Sequence, residues 1–142
     1  MRGLKKRIYP PDTYLSNTLL REVKDISRFV LRCLNLLSTR YKSSLEYLKN
    51  YREVAKKVGS IVERFDPEAR VYVFGSVVRG NYTAASDIDI LVVTTKINLK
   101  YELMVAVYRE FIGAPIELHI ATPDLYDKWY KRFIKPEEIV EV

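Results

Sequence analysis

The chain has one cysteine, one histidine, no glutamine, and no uninterrupted apolar run of membrane-spanning length. With Cys33 alone there is no disulfide framework, and with only His119 to join it there is no zinc site built from cysteines and histidines. Cys33 lies in an apolar helical stretch, so a buried core position and a reducing cytoplasm are expected for it. The start of the chain is basic, through Arg2, Lys5, Lys6 and Arg7, but Pro10-Pro11 interrupts it and no long apolar segment follows. Neither a signal peptide nor a membrane span is expected, and the basic start reads as a solvated tail. There is no internal repeat and no low-complexity segment.

What is present is 142 residues, enough for one domain, or one domain with an appendage, that buries a core without covalent staples. The net charge of +6, from 24 Lys and Arg against 18 Asp and Glu, favours anionic partners such as nucleotides, RNA or an acidic protein without choosing among them. Charged residues reach 30% while Gln, Cys and Met are scarce, a composition that leans towards a thermophile.

Hydrophobic periodicity divides the chain. After Pro10-Pro11, Asp12 caps an expected long helix whose Leu15, Leu19, Val23, Ile26, Val30, Leu34 and Leu37 form one face. A second helix, from about 41 to Phe65, repeats the pattern and stops at Asp66-Pro67. The two suggest an αα-hairpin. From Arg70 the pattern changes to a strand through Phe74, a helical turn from Ser76 to Arg79, and a strand from Asp87 to Thr94. A helix from Asn98, a strand from Ile116 to Ile120 and a last helix from Pro123 to Phe133 follow. This order predicts helices packed over one face of a small sheet.

The residues that carry chemistry cluster at the strand ends. Gly75 lets the backbone bend close to a ligand, Ser76 offers an amide and a hydroxyl, and the helical turn after them points unsatisfied N–H groups outward. Alternation along a strand puts Asp87 and Asp89 on one face, where two carboxylates suit Mg²⁺, a hard cation that bridges to phosphates. Glu117 interrupts the apolar strand Ile116-Glu117-Leu118-His119-Ile120 and is the candidate third carboxylate; a half-exposed edge position is the alternative. His119 shares that face and is read first as a structural histidine, second as a neighbour of the site. Arg79, three residues after Ser76, returns to the same side and either reaches a phosphate, steadies the aspartates, or lies at the surface.

The runs Gly75-Ser76-Val77-Val78-Arg79-Gly80 and Ser86-Asp87-Ile88-Asp89-Ile90-Leu91-Val92-Val93 resemble the minimal nucleotidyltransferases of the DNA polymerase β superfamily. The resemblance covers roughly 41 to 133. It implies an α/β (α+β) nucleotidyltransferase fold, a small mixed sheet flanked by helices, in a domain of residues 39–142. Residues 1–38, a basic tail and helical extension, lie outside it and are expected to cover the sheet, dimerise into a homo-oligomer, or seize a partner. The resemblance further implies two Mg²⁺ ions held by Asp87, Asp89 and Glu117, and a nucleoside triphosphate, ATP as donor, held by Gly75, Ser76 and Arg79. A nucleoside monophosphate then passes to a hydroxyl and pyrophosphate leaves. Glu117 departs from the family's usual aspartate by one methylene.

Proteins resembling this one that polymerise RNA carry further domains, and 25 residues follow Glu117 here, which disfavours nucleic acid as the acceptor. Small members of the family are commonly antitoxins paired with a HEPN ribonuclease, in some systems placing AMP on a toxin tyrosine. That ribonuclease needs an arginine and a histidine a few residues apart, and the sole histidine lies in a strand, so this chain is expected to be the transferase half. The alternatives are a binding module that neutralises its partner without catalysis, or transfer of a nucleotide to a small molecule.

Overall fold

A computed structural model of the chain describes residues 23–28, 30 and 43–142. Most of the helix expected from Asp12, Cys33, and the hairpin it was to form lie outside the described residues; within them, 23–28 are helical. The helix expected from about 41 to Phe65 is two helices, α1 (Ser44–Lys49) and α2 (Tyr51–Phe65). Asn50 separates them. Its Nδ2 donates to the Glu46 carbonyl at 2.9 Å while its own N–H reaches the same oxygen at 3.2 Å, the local competition for backbone groups that makes Asn a helix breaker. Ser43 caps α1 by accepting from the Glu46 N–H.

Four strands form one sheet in the order β3-β2-β1-β4. Strand β1 (Arg70–Phe74) runs antiparallel to β2 (Ile88–Val93) and to β4 (Ile139–Glu141), while β2 and β3 (Ile116–Ala121) are parallel. The one-turn helix α3 (Ser76–Arg79) links β1 to the loop before β2, and α4 (Lys100–Glu110), entered through a 3₁₀ turn at Ile97–Leu99, crosses from β2 to β3. The closing helix α5, residues 123–133, is α-helical at Pro123–Leu125 and Lys131–Phe133 with a π-helical turn at Tyr126–Tyr130 between them.

Strand alternation sorts side chains between two layers. Val71, Val73, Ile88, Ile90, Val92, Ile116, Leu118 and Ile120 are buried in one cluster with Val58 and Val62 of α2 and Leu103 and Val107 of α4. Each aliphatic side chain of this kind contributes about 1.5–3 kcal/mol by leaving water. The opposite face is also covered, against the expectation of helices on one face only. Tyr72, Leu91, Val93 and Ala121 pack with Tyr126 and Tyr130 of α5, and the Tyr72 and Tyr126 rings stack at 5.2 Å. The reason lies in the sequence of β2, where every position but Asp89 is buried, so both of its faces need a partner layer.

Candidate active site

The second face of the sheet changes character along its length. Towards the C-terminal ends of β2 and β3 it is apolar, at Leu91, Val93 and Ala121, and α5 covers it. Towards their N-terminal ends the same alternation presents Asp89 on β2 and Glu117 and His119 on β3. The parallel register sets Asp89 opposite Glu117 and Leu91 opposite His119. One ligand atom from each of Asp89, Glu117 and His119 falls within 4.8 Å of the other two. His119 Nε2 stands 3.8 Å from Asp89 Oδ1, and its ring rests 5.3 Å from Phe74 and 6.3 Å from Tyr130.

The turn after β1 closes on this group. Phe74 pairs with Asp89 across the sheet, so the next residue, Gly75, arrives beside the carboxylate. At φ 86 and ψ −149 Gly75 occupies backbone territory that is essentially glycine's alone. Space demands glycine as well, because a Cβ there would lie 2.5 Å from Asp89 Oδ2. Ser76 follows as the first residue of α3 and is buried, its carbonyl accepting from the N–H groups of Gly80 and Asn81. The first-turn amides of α3 have no acceptor within the helix, and a helix start of this kind favours an anion.

Asp87 and Arg79 sit differently from expectation. Strand β2 begins at Ile88, so Asp87 precedes it and stands outside the convergent trio. It is still coupled to it. Burial raises the Asp87 carboxyl above its ordinary value, and the charges of Glu117 and Asp89 push the same way, while Lys24 and Arg28 pull it down. Those two cations also line, with Asp87, Ser27, Ser44 and Tyr108, a cavity of about 170 Å³. Arg79 is turned away from the aspartates. Its guanidinium pairs with Glu138 at 3.5 Å and its Nε donates to Asn81 Oδ1 at 3.4 Å.

The donor set fits a divalent cation. Two carboxylates and an imidazole converge, and one oxygen of Asp89 lies so near Gly75 that a Cβ there would collide with it. When bound, such an ion polarises a phosphoryl oxygen and favours the ionised form of an attacking hydroxyl. Sequence reasoning named Gly75, Ser76, Asp89 and Glu117, which the fold brings together, and gave His119 a structural role first. Lys24, Arg28 and Tyr108 were not singled out, since only tertiary packing places them near Asp87.

The mixed sheet, with a glycine turn packed against the carboxylates of β2 and β3, is the nucleotidyltransferase fold. The chain belongs to the nucleotidyltransferase domain family, whose model matches residues 52–139. One solved structure, described as an inferred nucleotidyltransferase, is 31% identical over 61% of this chain and 95% of its own, with a TM-score of 0.52. A second, from Sulfolobus solfataricus and described in the same way, is 27% identical over 72% of this chain and 88% of its own, with a TM-score of 0.48. A poly(U) polymerase, Cid1, is 22% identical over 63% of this chain and 27% of its own, with a TM-score of 0.36. No curated protein matches. Nucleotidyltransferases generally use a divalent cation and a nucleoside triphosphate, and a cluster of two carboxylates and an imidazole is present in this chain. Among the described residues no helix is long and apolar enough to cross a membrane.

Proposed function

We propose that this chain transfers AMP from ATP to a hydroxyl of a partner protein, with Mg²⁺ at Asp87, Asp89 and Glu117, as the antitoxin of a HEPN toxin pair. The observation that carries the transferase reading is the contact of Gly75 with Asp89, which fuses the triphosphate turn and the cation site into one unit. Gly75 and Ser76 would hold the triphosphate at the start of α3. The acceptor oxygen attacks the α-phosphorus in line, the bond from that phosphorus to the β-bridging oxygen breaks, pyrophosphate departs, and the hydroxyl proton passes to a carboxylate of the cluster.

The cavity beside Asp87 supports a protein acceptor. Lys24 and Arg28 line it, and their charges would favour an acidic surface on the acceptor. ATP labelled at the α-phosphate, mixed with the product of the neighbouring gene, should label that protein, and Asp89→Asn should abolish the labelling. Absence of label, or equal labelling by Asp89→Asn, overturns the reading.

A second reading, neutralisation by binding alone, is favoured by the pairing of Arg79 with Glu138 and not with the site. It requires that Asp89→Asn still silence the toxin while deletion of residues 1–38 does not. Transfer to a small molecule would appear as labelled low-molecular-weight product with no labelled protein.

A further inference from the structure

We propose that the exposed flank of α4 is a self-complementary surface through which two copies of this chain pair antiparallel about a two-fold axis beside Val105. The inference goes beyond the transferase reading and does not rest on it. Ile97, Tyr101 and Val105 recur every four residues, so they form one stripe along α4 and its entry turn, and they are 40%, 51% and 53% exposed. The stripe is separate from the face that α4 gives to the core, which is Leu103, Met104, Val107 and Tyr108. Three large apolar side chains in a row stand in water. A continuous patch of this kind marks an interaction surface, unlike apolar residues scattered singly.

The charges beside the stripe select the occupant. Glu102 and Arg109 are both exposed, and their spacing of seven residues, two helical turns, puts them on the same side of it. Neither pairs with an opposite charge among the described residues. When two antiparallel helices are related by a two-fold axis, flanking residues on the same side meet, and each position faces the one equally far beyond the axis in the other copy. An axis beside Val105 therefore sets Glu102 against the partner's Arg109 and Arg109 against the partner's Glu102, while the two Val105 side chains meet at the centre. A second copy supplies this pattern by symmetry. It also leaves the candidate active sites open, because α4 packs on the sheet face of Val73, Ile90 and Leu118, whereas Asp89, Glu117 and His119 lie on the other.

The test is sedimentation equilibrium of the full chain across the micromolar range, with circular dichroism to show that each variant stays folded. The wild type should dimerise. Glu102→Arg and Arg109→Glu should each weaken the dimer by roughly tenfold or more, since either one sets like charges face to face at both ends of the contact. Mixing the two single variants should restore dimers, because each then meets the opposite charge in the other, and the double variant should pair with itself. Val105→Glu should leave a folded monomer. A wild type that stays monomeric overturns the proposal, whether the stripe then serves a different protein or another segment of this chain. So does a dimer that survives Val105→Glu and both charge reversals, which puts the contact elsewhere, and so does a mixture of the single variants that pairs no better than either alone.

Discussion

Replacing Gly75 with alanine tests whether the phosphate turn and the cation site are one unit. The backbone at φ 86 and ψ −149 is sparsely populated by any other residue, and holding alanine there costs on the order of 1–3 kcal/mol. The new Cβ would also stand 2.5 Å from Asp89 Oδ2, well inside contact, so either the turn opens or the carboxylate swings away. For a chain of this length about 3 °C of melting temperature accompanies each kcal/mol, giving an expected fall of roughly 3–9 °C. Gly80→Ala is the control. Gly80 also has positive φ, 74°, but nothing lies within 4 Å of a Cβ there, so its substitution carries backbone strain of about 1–2 kcal/mol and no collision.

Thermal unfolding with and without Mg²⁺ separates the two effects. An ion at 100 times its dissociation constant stabilises the folded chain by about 2.7 kcal/mol. That rise should persist in Gly80→Ala and vanish in Gly75→Ala, whose Asp89 is pushed out of place by the new Cβ. If both variants lose stability yet keep the same Mg²⁺ response, Gly75 is a turn residue only and its link to the cation site is refuted.

Other consequences are independent of the site. Gly59 sits inside α2 with open space around a Cβ, so Gly59→Ala should raise the denaturant midpoint with a gain of about 0.5–1 kcal/mol, and a loss would mean the helix there is not as described. Asp66 is buried and accepts from the Thr94 hydroxyl at 2.5 Å and the Glu68 N–H at 3.2 Å, with Lys96 at 3.4 Å. The Thr94 bond above all holds its carboxyl below the ordinary 3.8. A depressed carboxyl stabilises the fold fully above its unfolded value and loses that contribution as pH falls through the folded one. Asp66→Asn should therefore lower stability at neutral pH and flatten the acid limb below pH 3.8, as read from equilibrium unfolding at a series of pH values. An unchanged acid limb would remove Asp66 from the account.

The legible parts of this fold were those encoded by neighbours in the chain. Strand β1 and helix α3 lie where the sequence placed them, because Val71 to Phe74 alternate between two buried faces and Gly75 marks the turn between strand and helix. Asp66-Pro67 stopped α2, and Thr122-Pro123 started α5 with Thr122 accepting from the Leu125 N–H, as capping chemistry dictates. The break at Asn50 was hidden, since the apolar repeat continues through it and only the side-chain bond to Glu46 shows why the helix ends. Strand β4 was missed because three residues after Pro136 carry too little pattern, yet Gly75 N–H bonds the Glu138 carbonyl just before it.

The site divides along the same line. Gly75, Ser76 and Asp89 were readable because a turn and a strand position them locally. The place of His119 depends on the parallel pairing of β2 with β3, and the partner of Arg79 depends on Glu138 beside β4, neither of which a single sequence states. Asp87 lies just before β2 and is coupled to the cluster through the charges of Glu117 and Asp89.

Nucleotidyl transfer itself is tested most directly by supplying the wild type and Asp89→Asn, in parallel, with ATP labelled at the α-phosphate and ATP labelled at the γ-phosphate, together with the proposed partner protein. The account predicts stable labelling of the partner from α-labelled ATP only, release of the γ-label as pyrophosphate, and loss of both signals in Asp89→Asn. Label arriving from the γ-position, or α-label transferred equally by the Asp89 variant, would contradict it.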